Sequence, residues 1–314
     1  MSESVTVGVD GTRESHSAVD WAAREALVRG VTLQLLQVRE TGVYPYSPIA
    51  DDEVEREWAQ HLVNELLDEL HRRHPELNVT VETASGRPSH VLADVSAETD
   101  LLVLGSSGLS SLLGFIVGSA ALPTVAHSAC PVVLVRARPG DDHGAGDHDG
   151  SHGRTSAEAF ASAFPPPETE AETGEIVLGV DLQRPCDELL AFAFGSAARR
   201  SVPLRVLNAW NLGGRRSMRP TPIPPGMHGE LLTAQNDALA AALRPWTERH
   251  PDIKVHAEAL VEQPAHLLVE AATQASMLIV GRRNRRSRIG THLGPVTHAV
   301  MHHARAPLAI VPYD

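Results

Sequence analysis

The chain contains itself twice. Sliding it by 176 residues lays His74-Pro75 on His250-Pro251, Pro88 on Pro264, His90 on His266 and Leu92 on Leu268. Gly105 falls on Gly281, Gly118 on Gly294 and Pro131 on Pro307, with no gap between residues 74 and 131. Upstream the offset drops to 171, where Val7-Gly8-Val9-Asp10 meets Leu178-Gly179-Val180-Asp181. The second copy therefore carries five extra residues before His250, and the Pro-, Gly- and Arg-rich stretch 213–228 is where they are expected. A period as long as a domain signals tandem duplication and not a solenoid. A length of 314 residues fits about two domains, each able to bury a core.

Each copy alternates strand and helix. In the first, strands are expected at 5–10, 31–38, 78–84, 101–104 and 131–135, with helices at 14–29, 51–74, 89–98 and 120–129. Ala18, Ala22 and Ala26 recur at helical spacing. The runs 101–104 and 132–135 are apolar throughout, as strands covered on both faces are. Five strands joined by crossover helices predict α/β architecture: two tandem, doubly wound, five-stranded parallel-sheet (Rossmann-like) domains. In such sheets ligands gather at the carboxyl ends of the strands, near the switch point. The expected domains are residues 1–137 and 175–314. Between them, 138–174 is a linker of Gly, His, Pro and acidic residues, with eight carboxylates against Arg138 and Arg154. It thus holds −6 of the chain's −12 net charge, and its composition predicts flexibility.

The chemistry concentrates after the strand at 101–104. Gly105, Gly108 and Gly118-Ser119 are separated by two and nine residues and precede a helix. Glycines let backbone approach an oxyanion, and unpaired N–H groups at a helix start supply donors and partial positive charge. Ser119 is placed to act as N-cap and phosphate ligand together. No Gly-Lys-Ser/Thr and no Gly-x-Gly-x-x-Gly occurs in the loop, so it is neither a P-loop nor a dinucleotide fingerprint. Its spacing resembles the ATP-binding loop of the universal stress protein family. The opening strand ending in Asp10, the Gly11-Thr12 turn and the helix with Ala18, Ala22 and Ala26 are similar to the start of that family.

The resemblance implies that Asp10 and the Val38 backbone lie near adenine. It implies that Gly105, Gly108, Gly118 and Ser119 hold ribose and phosphates. A magnesium ion could accompany the triphosphate, held partly by Asp10. The family usually has a second hydroxyl three positions after the second-motif glycine; this chain has Ala121. In the second copy Asn284 replaces the glycine at the Gly108 position and Pro295 replaces Ser119. Proline suits a first helical position, so the helix should survive. The corresponding second-site residues are Asp181, Gly281, Gly294 and Thr297, joined by Arg283 and Arg286. Five arginines (282, 283, 285, 286 and 288) either grip phosphate beside the helix start or form a solvated basic loop, with the acidic linker as one partner. The second pocket either binds nucleotide differently or has been retired.

Other classes fare worse. No apolar run approaches a membrane span, and the N-terminus has no signal-peptide pattern. Cys130 and Cys186 sit at non-equivalent places, which favours small core residues in a cytoplasmic protein over a disulfide. The net acidity argues against nucleic acid as a partner. His143, His148 and His152 in the linker, and His298 with His302, form no expected metal site, since the Glu of a His-Glu-x-x-His pair is missing. No base–nucleophile pair or loop lysine points to turnover. The expectation is an ATP-binding regulator of a stress or dormancy response, not an enzyme, acting on a protein partner that the sequence does not name. The alternatives are a slow ATPase or nucleotidyl transferase of the same fold, and a nucleotide-free scaffold. The domains are expected to pair within the chain or as a homodimer, through the apolar last strands 131–135 and 307–311.

Overall fold

The computed structural model describes residues 3–40, 52–106, 118–137, 174–184, 186–210, 227–284 and 293–314. The chain divides into two units, 1–167 and 168–314. The first runs β1 (Ser4–Val9), α1 (Arg13–Arg29), β2 (Thr32–Arg39), α2 (Asp52–Arg73), β3 (Val79–Ser85), α3 (Pro88–Val95), β4 (Leu101–Ser106), α4 (Ala121–His127) and β5 (Val132–Arg136). The second runs β6 (Ile176–Gly179), α5 (Asp187–Arg200), β7 (Leu204–Trp210), α6 (Met227–Arg249), β8 (Val255–Val261), α7 (Pro264–Ala271), β9 (Met277–Arg283), α8 (Pro295–His303) and β10 (Leu308–Tyr313).

Domain 1 pairs its strands in parallel in the order β3-β2-β1-β4-β5. Domain 2 does the same in the order β8-β7-β6-β9-β10. Each is a doubly wound sheet whose switch point lies between its first and fourth strands, β1/β4 and β6/β9. The change of offset is bracketed by Arg39 and Trp210 on one side and Arg73 and Arg249 on the other. The connection holding it, 211–226, lies outside the described residues, as do the linker residues 138–173.

The central strands β1 and β4 are buried on both faces: Val5, Val7, Leu101, Leu102 and Val103 have no exposed surface. Burying each such side chain stabilises the fold by about 1.5–3 kcal/mol. On α1 the buried stripe is Ala18, Val19, Ala22, Ala23 and Ala26, small enough to bring the helix backbone close to β1, β4 and β5. Arg73 of α2 reaches Asp20 of α1 at 2.8 Å and ties the two helices together. Opposite them, Leu92 of α3 lies against Gly8 of β1, where a methyl would stand 3.5 Å from its Cδ2. Leu268 of α7 takes the same place at 2.8 Å over Gly179 of β6.

Three expected elements shift by more than one residue, and the first is the helix expected at 89–98, which is Pro88–Val95. β4 extends past 104 to Ser106, because its pairing with β5 continues through Ser106 and Arg136. The helix expected at 120–129 is only Ala121–His127. Ser128 leaves the helical region (φ −59°, ψ 143°), and the Ala129 N–H donates to Ser96 Oγ at 2.8 Å. Neither cysteine forms a disulfide, and both are buried. No described helix is long and apolar enough to cross a membrane.

Candidate functional site

The site of domain 1 begins where β1 stops. Asp10 follows the last strand residue and is exposed; Gly11 turns the chain at φ 76°. Asp10 Oδ1 accepts from Thr12 N at 3.0 Å and from Thr12 Oγ1 at 2.6 Å. Thr12 Oγ1 in turn accepts from Ser15 N at 3.2 Å, capping α1. One chain of hydrogen bonds therefore fixes the carboxylate at the carboxyl end of the sheet and starts the helix. His16 is buried in that first turn. Burial lowers its pKa below the usual 6.5, while the carboxylates of Asp10 and Glu65 work in the opposite direction.

Of the expected ligands, Val38 is a half-buried β2 residue paired with Ala84 of β3. Gly105 lies on β4 with its α-carbon toward α1: a methyl there would stand 2.5 Å from the Glu14 carbonyl carbon and 2.7 Å from Ser15 N. The close approach that requires glycine at 105 is therefore that of a helix turn. Gly118 is different. No described atom lies within 4 Å of a methyl built on it, so its α-carbon opens on free space. Gly108 lies in 107–117, outside the described residues.

Ser119 does not cap α4. The Gly118 carbonyl already accepts from Ala121 N at 3.1 Å and Leu122 N at 3.5 Å, so the chain is turning one residue earlier than the sequence predicts. Ala120 stands in the capping position in helical conformation, with no side-chain hydrogen bond. Ser119 is exposed within the turn. Sequence reasoning also missed Ser106. This last residue of β4 is fully buried, and its Oγ has no hydrogen-bond partner among the described residues. A hydroxyl directly before a glycine loop was the available signal. Beside it across the ladder, Arg136 is pulled down to about 10 by burial.

Domain 2 keeps the aspartate turn: Asp181 Oδ1 accepts from Gln183 N at 3.0 Å. Gly294 is the N-cap of α8, and Pro295 occupies the first turn, as its fixed φ favours. The Thr297 hydroxyl, 5% exposed, donates to the Gly281 carbonyl at 3.0 Å, so it fastens α8 to β9. Arg282 is not a loop residue; it is a buried member of β9, whereas Arg283 is exposed. Arg285, Arg286 and Arg288 lie outside the described residues. The rings of His298 and His302 lie with centroids 4.7 Å apart, tilted by 47°, and no cluster of three His, Cys, Asp or Glu groups occurs among the described residues. A groove of about 640 Å³, lined by Glu3, Arg29, Thr32, Glu76 and Asn78, lies at the amino ends of the strands, away from the switch point.

Two parallel-sheet domains with an aspartate turn after the first strand and a glycine-led helix after the fourth set up the comparison with known proteins. Residues 1–136 and 173–312 both match the universal stress protein family. The chain belongs to that family. It is 28% identical over 330 residues to Universal stress protein Rv1996 of Mycobacterium tuberculosis, covering 99% of this chain and 96% of the relative. It is 31% identical over 319 residues to a universal stress protein of Mycolicibacterium smegmatis, covering 98% and 96%. A universal stress protein from Archaeoglobus fulgidus shares the fold, with a TM-score of 0.67 at 14% identity over 99% of both chains. This universal stress protein is thus of the tandem kind, with relatives that span its whole length.

Proposed function

We propose that domain 1 binds ATP, and that the chain acts as a nucleotide-dependent regulator in a stress or dormancy response. The observation that carries this reading is the open backbone at Gly118. It lies at the start of the helix that follows β4, in the same domain as an exposed carboxylate held by Thr12 at the end of β1. Backbone N–H groups of that turn suit phosphate oxygens, and the carboxylate suits a nucleoside or its metal ion. Asp10, Val38, Gly118, Ser119 and, from the glycine motif, Gly105 and Gly108 make up the proposed site. Gly105 contributes by seating α1, and through α1 the Asp10 turn. When bound, a magnesium ion would neutralise phosphate charge beside Asp10. Pairing of the domains, within one chain or between two, is part of the same reading. In its own unit, β5 and β10 are each bonded on one side by β4 and β9, and apolar edges need cover.

The first test is direct. Protein purified without added nucleotide is denatured and its small molecules identified; the reading expects an adenine nucleotide. Calorimetry with ATP on wild type and Gly118→Asp follows. The substitution has room, so the fold should hold, while the new carboxylate repels phosphate. A loss of at least tenfold in affinity is expected, and equal affinities would remove domain 1 from the proposal. Sustained release of phosphate in the same samples would favour the slow ATPase, and an empty protein that ignores ATP would favour the scaffold.

A further inference from the structure

The groove at the amino ends of the domain 1 strands takes no part in the ATP reading. Its volume of about 640 Å³ falls in the range of small-molecule sites. Four separate pieces of chain wall it. Glu3 leads into β1, Arg29 and Gly30 close α1, Thr32 opens β2, and Glu76 and Asn78 join α2 to β3. Buried Ala26 and Leu77 supply its apolar part. The six residues of β1 separate it from the Asp10 turn, roughly 20 Å at about 3.3 Å per residue.

The polar groups of this groove are mostly acceptors. Glu3 and Glu76 are exposed, and neither carboxylate has an ion-pair partner among the described residues. Asn78 Nδ2 donates to Thr32 Oγ1 at 3.0 Å, which engages the amide nitrogen and leaves Oδ1 as an acceptor. The helix α1 ends here at Gly30, so the negative end of its dipole lies at the groove. One cation, Arg29, lines the groove, and a residue of its own helix answers its charge. Arg29 Nε donates to Glu25 Oε1 at 2.5 Å, with the two side chains 13% and 1% exposed. Two negative charges, an amide oxygen and a helix C-terminus therefore face the same space beside an apolar wall. The ligand that complements them carries N–H donors and positive charge on a short aliphatic body.

The repeat supplies an internal control. At the offset of 171, Glu3 corresponds to Gly174 and Thr32 to Pro203; at 176, Glu76 corresponds to Asp252 and Asn78 to Lys254. The second copy thus has one carboxylate and a lysine where the first has two carboxylates and an amide. Its charges cancel, and nothing there favours a cation.

We propose that the amino-end groove of domain 1 binds an aliphatic diamine, one per chain. Glu3 and Glu76 meet its ammonium groups, and its methylenes lie against Ala26 and Leu77. The glycine loop and the Asp10 turn are not involved, so the inference does not depend on the ATP reading.

Full-length protein is titrated calorimetrically with putrescine at low salt, as wild type, Glu76→Gln, Glu3→Gln/Glu76→Gln and Asp252→Asn. No nucleotide is present, and folding is followed by circular dichroism. All three carboxylates are exposed, so the variants should fold. Wild type should bind one putrescine per chain. Glu76→Gln should lose at least fivefold in affinity, and the double variant should bind none. Should the double variant not fold, Glu76→Lys replaces it with the same expectation. Asp252→Asn removes the same charge from the domain 2 counterpart and should bind as wild type does. Succinate and 1,4-butanediol, of the same four-carbon length, should not bind, since one is repelled and the other lacks charge. Added salt should weaken putrescine binding, because exposed carboxylates are screened. If Asp252→Asn weakens putrescine as much as Glu76→Gln does, the amine is only a counterion of an acidic chain, and the proposal is overturned. Absence of saturable binding overturns it as well, and so does binding that survives in the double variant.

Discussion

A glycine can be required by a ligand or by a neighbouring backbone, and this chain holds both kinds within one motif. Gly105 faces the Glu14–Ser15 backbone, which cannot move aside without unwinding α1. Gly105→Ala should therefore destabilise domain 1 by about 1–3 kcal/mol, as overpacking does. A urea titration of the variant measures it, and an unchanged midpoint would show that α1 gives way freely. Gly118→Asp, by contrast, should leave stability alone and lower ATP affinity. His16 supplies a pH signature. Its folded pKa is depressed below 6.5 by burial, so the folded domain favours the neutral ring. The stability of domain 1 is then full above about pH 6.5 and falls as the pH drops from there toward the lowered value. Melting temperatures at pH 7.5 and 5.5 should show this loss, and His16→Gln should shrink it; equal losses in both proteins would clear His16.

Helix ends show where the sequence was legible and where it was not. The C-cap of α1 is Gly30 in the left-handed region, φ 68°. Its equivalent after α5 is Ser201, held at φ 54°. A side chain there costs energy that glycine avoids. Ser201→Gly should raise domain 2 stability by about 1 kcal/mol, read from the denaturation midpoint; a drop would mean that the serine makes a compensating contact. The repeat, the ten strands and the order of elements were all readable, because apolar runs and paired prolines and glycines survive duplication. The start of α5 was not. Nothing in the spacing of Cys186, Asp187 and Leu189 announces that the Cys186 thiol caps the helix, or that the Tyr313 ring covers Gly281 where domain 1 has the first turn of α1. Ser119 was misread for a related reason: hydroxyl spacing suggests a cap, but the turn already begins at the Gly118 carbonyl and the capping position falls on Ala120. The site was legible as a set of positions, and less so as roles, since Gly105 serves packing.

At the scale of the molecule, each domain has a parallel sheet and a core of its own, and the composition of the segment joining them predicts no core there. Replacing residues 141–156, acidic and Gly-rich, with a Gly/Ser stretch of equal length should leave melting temperature and ATP affinity unchanged. A clear fall in either would show that the segment packs on a domain. The unlike covers over Gly105 and Gly281 also set how freely each half accepts mutation. In domain 1 the glycine is answered by main chain, and no second substitution can make room for a side chain there. In domain 2 it is answered by a phenol ring, and a smaller residue at 313 would release position 281 from glycine. Duplication has left one copy pinned and the other able to drift through paired changes, each compensating the last.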